Sequence, residues 1–417
     1  MTDDYDVKAE RQKWKERLEQ FKRDQEAQKA DWIKLCVMSD SRGPKPLPIV
    51  ENVYIALAND PELKAKFAFD EMLQEAMIEA SPPRRVTDDD IVDLQRLLQR
   101  SGLKRIGKDA VTDGLYNYAR DHCYHPVRDW LDGLEWDGTP RLATWPQRYL
   151  GVSHASNYAS LVGEKFLIAM VARIYRPGCK ADYMLILEGP QGIKKSMACK
   201  VLAGDYFSDS LPELSEGKDV YIHLAGKWLL EIGELHQFNR AETSHLKLFL
   251  SKETDRYRPV YAKVEVHQPR QCVFIGTSNK DQYLRDETGG RRFHPLKCGD
   301  IDIDALTSDR PQLLAEAVVA FKAGKTWWPD DEETRTLIEP EQEARYEADE
   351  WDGLIGDYLD NRLITPTVTI AQIAKEALGL EAHRLGMLEQ KRIAACLIRR
   401  RWIRRVSNSR RWWELKI

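Results

Sequence analysis

Residues 183–202 are the part of the chain that most limits which fold it can adopt. A short apolar run at 184–187 predicts a buried strand. A glycine-rich turn follows at 189–192, and helix-forming residues occupy 197–202. A strand, a tight turn and a helix in this order direct backbone N–H groups and the positive end of the helix at one spot. The stretch therefore predicts an α/β protein with an anion site at the end of a strand.

The turn and the start of the helix match most of the Walker A pattern. Gly189, Lys195 and Ser196 stand where the pattern requires them, whereas Lys194 occupies the place of the second glycine. Lys195 is predicted to reach the β- and γ-phosphates of ATP, and Ser196 to hold Mg²⁺. The Lys194 side chain must turn away from the phosphates or add a second cation, and Gly192 restores flexibility. The alternative is an ordinary strand–turn–helix of an α/β core. The predicted nucleotide contacts are Gly189, Pro190, Gln191, Gly192, Ile193, Lys194, Lys195, Ser196 and Met197.

Composition limits the remaining choices. The formal net charge of −4 gives no overall attraction to nucleic acid, so any such contact must be local. A hydrophobic content of 42% excludes wholesale disorder. The 7 cysteines are scattered, which predicts reduced thiols in a cytoplasm. No signal peptide is recognisable, and the most apolar segment, 166–171, is too short to span a bilayer. We therefore expect a cytoplasmic protein without a membrane partner.

Four parts are expected along the chain. Residues 1–48 form a charged helical arm and linker, and 49–150 a helical accessory region. Residues 151–330 form the core, in which a helix at 157–174 packs beneath the nucleotide site. Thr87 is the expected N-cap of one accessory helix. The accessory region either touches DNA through basic side chains or forms a helical lid. The fourth part spans residues 350–417.

A second hydrophobic strand is predicted within residues 227–235, and it ends in acids. Nucleotide hydrolysis needs one carboxylate near Mg²⁺ and one that orients the attacking water. Glu231 and Glu234 would both lie toward the end of this strand if the chain turns at Gly233. Glu231 is taken as the Mg²⁺ ligand, while the division of the other role stays open. The alternative is two exposed glutamates at a strand end.

A third strand, at 270–278, ends at Asn279, which would sense the γ-phosphate or hold water. Gly289 and Gly290 then present Arg291 and Arg292 on a turn. An arginine inserted into a neighbouring subunit's site would stabilise charge on the transferring phosphoryl group. The alternative is an arginine pair that is simply exposed.

The chain between the second and third strands predicts a helix followed by a β-hairpin. Lys263 lies near the expected tip, and tyrosines flank it. Such a hairpin suits contact with a single-strand backbone and stacking on bases. A hairpin with a purely structural role is the alternative.

These motifs resemble, in order, the virulence-associated E family of phage- and island-encoded P-loop ATPases, which are related to superfamily 3 helicases. The matching stretches are Gly189-Pro-Gln-Gly-Ile-Lys-Lys-Ser196, Trp228-Leu-Leu-Glu-Ile-Gly-Glu-Leu235, Gly276-Thr-Ser-Asn279 and Thr288-Gly-Gly-Arg-Arg-Phe293. The resemblance covers roughly residues 100–330. It implies an AAA+-like P-loop ATPase core, a homo-oligomeric ring taken as hexameric, and action on DNA with replication proteins of a mobile element in a bacterial cell. The implied site residues are Lys195, Ser196, Glu231, Glu234 and Asn279, with Arg291 or Arg292 as the finger.

Residues 350–417 predict three helices and a β-hairpin, the outline of a winged helix. The segment is rich in arginine, and in an acidic protein this concentration predicts contact with a phosphate backbone. A protein-interaction module is the alternative. The predicted DNA contacts are Lys263, Arg399, Arg400, Arg401, Arg404, Arg405, Arg410 and Arg411.

Three functions are compatible with these features. The first is a DNA-acting ATPase, helicase-like or a replication initiator. The second is a P-loop kinase of small molecules, which would need neither the hairpin nor the basic C-terminal segment. The third is a non-enzymatic DNA-binding adaptor with a weakened nucleotide site, for which Lys194 is the main argument. The expected fold is thus α/β, with an AAA+-like core, a helical N-terminal region and a C-terminal winged-helix-like domain.

Overall fold

The computed structural model describes residues 31–153, 156–212, 218–235, 238, 240–258, 264–284, 290–329, 331–345, 350–361, 367–407 and 410–415. The chain divides into two compact units, Met1–Gly133 and Leu134–Ile417. Most of the predicted charged arm, residues 1–30, and Lys263 lie outside the described residues. Within the described ranges, no helix is long and apolar enough to cross a membrane.

The first unit combines helices with a small sheet. Its helices are α1 (Val50–Asn59), α2 (Asp88–Ser101), α3 (Lys108–Asp121) and α4 (Pro126–Asp132). Its strands are β1 (Phe67–Asp70), β2 (Glu75–Ile78), β3 (Arg84–Arg85) and β4 (Cys123–Tyr124), in the order β3-β2-β1-β4. Thr87 caps α2 as predicted, since its side chain accepts a hydrogen bond from the Asp90 amide.

The sheet corrects the expectation of a purely helical accessory region. β1 and β2 pair in antiparallel register, with Phe67 opposite Ile78. Each of these strands has only four residues, so the apolar alternation is too brief to register as a period. The buried side chains of Phe67 and Phe69 join the core of this unit, and such packing outweighs local propensity.

The second unit is built on a five-stranded parallel sheet. Its strands are β5 (Met184–Glu188), β6 (Phe207–Ser208), β7 (Leu229–Ile232), β10 (Val273–Ser278) and β11 (Phe293–Lys297), and their order is β11-β5-β10-β7-β6. Every neighbouring pair is parallel. Its helices are α5 (Trp145–Leu150), α6 (Asn157–Tyr175), α7 (Lys195–Ala203), α8 (Lys218–Leu224), α9 (Arg240–Leu250), α10 (Ile303–Lys322) and α11 (Glu332–Ala344).

The strand order brings β5, β10 and β7 side by side. All residues of β5 and β10 are buried, which matches their continuous apolar sequences. The chain leaves β5 toward β6 and leaves β10 toward β11, so the connections of these two neighbours run in opposite directions across the sheet. The crevice outside the carboxyl ends of strands at such a point is where α/β sheets bind ligands.

A two-stranded antiparallel hairpin and the C-terminal segment complete the chain. The hairpin consists of β8 (Thr254–Tyr257) and β9 (Val266–Pro269), and its expected tip at 262–263 lies outside the described residues. The C-terminal segment contains α12 (Glu350–Asp360), β12 (Thr367–Val368), α13 (Ile370–Glu376), α14 (Met387–Arg399), β13 (Trp402–Ser407) and β14 (Arg410–Leu415). Its sheet order is β12-β14-β13, so a short third strand joins the hairpin. The segment has its own apolar core, which includes Ile373 and Trp413.

Candidate phosphate and metal site

The loop between β5 and α7 has the backbone shape of a phosphate-binding turn. Gly189 has φ 144°, and a Cβ there would lie 2.6 Å from Cδ1 of Ile193, so glycine is required. Lys194 caps the start of α7 with φ 70°, a left-handed conformation that a glycine would adopt freely. Its side chain is exposed. The departure from the Walker A pattern therefore costs backbone strain but leaves the turn in place.

Lys195 lies at the centre of this turn. Its Nζ donates hydrogen bonds to the carbonyl oxygens of Gly189 at 2.6 Å and Pro190 at 2.9 Å, and to Oδ1 of Asn279 at 2.9 Å. Burial lowers the pKa of the Lys195 ammonium below its ordinary value. The structure thus brings Lys195 and Asn279 together at the carboxyl edge of the sheet, although they are far apart in sequence.

Glu231 connects the helix to the neighbouring strands. Its Oε1 accepts hydrogen bonds from the Ser196 hydroxyl at 2.7 Å and from the Thr277 hydroxyl at 2.9 Å. Its Oε2 is buried and has no hydrogen-bond partner among the described residues. A buried carboxylate oxygen without a partner carries a desolvation cost that a cation offsets. Carboxylate and hydroxyl oxygens are ligands that Mg²⁺ prefers, so this pair fits that ion. Thr277 is a site residue that the sequence analysis did not identify.

The two glutamates have different environments. Glu231 belongs to β7 and is only 4% exposed. Glu234 follows the end of that strand with φ 52°, and it is exposed. The chain therefore turns after β7 as expected, and it is the Glu231 carboxylate that accepts the hydrogen bond of the Ser196 hydroxyl. A buried acid beside the hydroxyl and an exposed acid on the following loop are suited to different tasks.

Arg291 and Arg292 lie at the other edge of the sheet. They end a short 3₁₀ turn that leads directly into β11, whose first residue, Phe293, pairs with Met184, the first residue of β5. A five-residue strand is about 15 Å long, so the arginines are about that far from the Lys195 turn along the sheet. Arg291 is exposed, and Nε of Arg292 donates to the Ser251 hydroxyl at 3.0 Å. Within one chain these arginines do not meet the Lys195 turn.

An ion pair that the sequence did not suggest fixes the end of β5. Glu188 is 1% exposed, and its two carboxylate oxygens accept from Nε and Nη2 of Arg345, each at 3.0 Å. The Tyr283 hydroxyl donates to the same carboxylate at 2.7 Å. Burial opposes charge on Arg345, but the Glu188 contact outweighs it and raises the pKa of the guanidinium. The sequence around Arg345 is acidic, so it gave no signal for this contact.

The predicted DNA-contacting arginines fall into two groups. Arg399 and Arg400 form ion pairs with Asp352 at 3.3 and 3.7 Å, and Arg405 pairs with Glu414 at 2.7 Å. In contrast, exposed arginines without an ion pair among the described residues are Arg401, Arg404 and Arg411. The side chain of Arg410 lies outside the described residues.

Together, the sheet and the residues at its carboxyl edge define a mixed α/β protein with a parallel sheet and a candidate phosphate and metal site. The model of the virulence-associated protein E-like domain matches residues 131–347, and the chain belongs to that family. The family resemblance drawn from the motifs is thereby confirmed.

Two solved structures are also similar to the chain. The apo structure of the NrS-1 C-terminal region (305–718) is 13% identical with a TM-score of 0.43, covering 84% of this chain and 95% of that one. The A form of the apo C-terminal region is 14% identical with a TM-score of 0.41, with the same coverage of 84% and 95%. No curated protein matches the sequence.

Proposed function

We propose that the protein is a Mg²⁺-dependent ATPase that acts on DNA, as a helicase-like enzyme or replication initiator of a phage or mobile element. The observation that carries the proposal is the convergence of Lys195, Asn279, Ser196 and Glu231 at one edge of the sheet. Phosphoryl transfer requires mostly positioning and charge stabilisation, which these groups supply. The resemblance to the virulence-associated E family supports the assignment to DNA replication.

Each residue then has a distinct task. The loop amides and the Lys195 ammonium bind the β- and γ-phosphates, in place of the carbonyl oxygens that Lys195 now contacts. Ser196 and Glu231 would hold Mg²⁺, which supplies charge neutralisation at the phosphates. Glu234, exposed just beyond β7, orients the attacking water. Asn279 positions the Lys195 ammonium and the γ-phosphate.

The arginine finger would come from a second copy of the chain. Arg291 and Arg292 are at the amino-terminal edge of the sheet, whereas the Lys195 turn is at the carboxyl edge. One chain therefore offers a phosphate site on one edge of the sheet and two arginines, of which Arg291 is exposed, on the other. If the arginines of each chain contact the phosphate site of the next, the chains assemble head to tail. Such an assembly is a closed ring when the rotation between neighbouring chains returns to the first chain. This geometry supports the proposed homo-oligomeric ring.

A non-enzymatic adaptor is the second candidate, and the left-handed backbone at Lys194 is the observation that favours it. The proposals are separated by ATP hydrolysis with and without single-stranded DNA. We expect turnover in the wild type, stimulation by DNA, and loss of turnover in Lys195→Ala. Lys200→Ala removes an exposed lysine from the same helix and serves as the control. Equal background turnover in the wild type and Lys195→Ala would leave only the adaptor.

The hypothesis of a small-molecule kinase predicts a different result. It would transfer phosphate to a nucleoside or similar acceptor, and DNA would not change its rate. Size-exclusion chromatography with and without ATP, run on the same proteins, tests whether the chain assembles as a ring. A monomer at all concentrations with full turnover would contradict the trans arginine.

A further inference from the structure

The C-terminal segment carries an open groove of about 790 Å³ between α14 and β13. Its walls combine apolar, aromatic and cationic side chains, and they include Ile398, Arg401, Trp402, Ile403, Arg404 and Trp413. We propose that this groove binds single-stranded DNA, with a base against Trp402 and adjoining phosphates on Arg401 and Arg404. The inference rests on the proposed action on DNA and names the surface that carries it.

The two arginines of the groove keep their positive charge, whereas three other arginines of the segment are paired with acids. Asp352 pairs with Arg399 and Arg400, and Glu414 pairs with Arg405. Arg401 and Arg404 are exposed, and their guanidinium groups have no carboxylate partner in the part of the chain that the structure describes. The chain has a net charge of −4, so these arginines are a local exception to its overall charge. Cations beside an apolar wall suit a ligand that carries several negative charges and also an apolar surface.

The register of the β13–β14 hairpin places the paired Arg405 and the groove residue Arg404 on different faces of the strands. Successive residues of a strand face opposite sides, so Trp402 and Arg404 share one face of β13. Arg404 pairs with Trp413 across the hairpin, which places Trp413 on that face as well. Arg405 lies on the reverse face. The neutralised pair of Arg405 and Glu414 therefore lies on the opposite side of these two strands from Trp402, Arg404 and Trp413.

Arg401 has an unusual backbone that fits a binding role. Its φ is 65°, a left-handed conformation that costs a residue other than glycine about 1–2 kcal/mol. Such strain is concentrated at binding sites, where it fixes a side chain in place. Here it accompanies an arginine that lines the groove directly before β13.

The aromatic wall favours a single strand over a duplex. Bases in a duplex are stacked on one another, whereas an unpaired base can stack on an exposed aromatic ring. A surface that only follows a duplex backbone would need cations but no tryptophan. The groove volume of about 790 Å³ lies in the range of small-molecule sites, so it has room for a base.

The test compares arginines of the two groups in the full-length chain. A fluorescent single-stranded oligothymidine is titrated by anisotropy without ATP, at two salt concentrations. Arg401→Gln and Arg404→Gln should each weaken binding about 3- to 10-fold and reduce the salt slope by about 0.7. Arg399→Gln and Arg405→Gln remove the same charge from paired residues and should stay within about twofold. Because ATP is absent, failure of the proposed hydrolysis does not affect this result.

Trp402 is tested by two independent readouts. Trp402→Ala should weaken binding about 5- to 100-fold, and Trp402→Phe should retain most of it. Since Trp402 also packs against the core of the segment, unfolding curves accompany these variants. Photocrosslinking of an iodouracil-containing strand should label Trp402 in the wild type. Three results would each overturn the proposal. They are equal losses of affinity for all four arginine variants, tighter binding of the matching duplex, and no binding of DNA, as expected of a protein-interaction module.

Discussion

The hydroxyl of Ser196 and Oε1 of Glu231 are 2.7 Å apart, which joins the first turn of α7 to the middle of the sheet. The second oxygen of Glu231 faces a buried space without a partner among the described residues. Glu234, three residues later, is exposed. This difference in environment distinguishes two acids for which the sequence left open which one orients the attacking water.

Neutralising Glu231 and neutralising Glu234 should therefore have different effects on ATP turnover. Glu231→Gln should raise the Mg²⁺ concentration for half-maximal ATP turnover about 10-fold or more, because it removes a direct ligand. Glu234→Gln should lower turnover about 10²- to 10⁴-fold at an unchanged Mg²⁺ requirement, because it removes the group that orients water. Magnesium titrations of steady-state hydrolysis give both quantities. Equal shifts in the Mg²⁺ requirement would refute the division of tasks.

Lys194→Gly should stabilise the protein. The left-handed φ of 70° costs a lysine about 1 kcal/mol, and glycine adopts it without this cost. Lys200→Gly is the matched control, since it places glycine inside the regular part of α7 and should destabilise by a similar amount. Thermal unfolding of both variants measures the effect. A lower melting temperature for Lys194→Gly would show that the lysine side chain contributes contacts that outweigh the strain.

The Glu188–Arg345 pair should behave as a buried, coupled pair. Arg345→Met alone leaves the buried Glu188 carboxylate without its cation and should destabilise by about 3–5 kcal/mol, whereas Glu188→Gln should cost less because Arg345 keeps its ion pair with Glu341. The double variant should lose much less than the sum of the two. Chemical denaturation provides the four free energies of this cycle. The exposed pair Arg405–Glu414 is the control, with an expected coupling of about 0–1 kcal/mol. Additive losses at Glu188 and Arg345 would contradict the coupling.

The sequence predicted the parts of the site whose chemistry is local. Continuous apolar runs indicated β5, β7 and β10, and the polar residues Glu188, Glu231 and Ser278 lie at or next to the carboxyl ends of these strands. The Lys195 turn could be predicted because glycine positions and the following helix are adjacent in the chain. The hairpin of β8 and β9 was also predicted, although its bounds were not.

Features that depend on distant packing could not be predicted. Glu188 and Arg345 are 157 residues apart, and neither has a local pattern that indicates an ion pair. The sheet of the first unit was missed because its strands are too short for a period to appear. The neutralisation of Arg399, Arg400 and Arg405 depends on acids elsewhere in the segment, so the sequence overestimated the number of available cations.

The ion pair between Arg345 and Glu188 affects how far the C-terminal helices can move. The carbonyl oxygen of Arg345 also accepts hydrogen bonds from the amides of Tyr283 and Leu284, so this residue is anchored at both ends. The first residue of α12, Glu350, follows five positions later, and five extended residues span at most about 17 Å. This tether limits how far α12 can move away from Arg345. If a strand binds at the C-terminal segment as proposed, force on α12 beyond that limit would reach the end of β5, directly before Gly189.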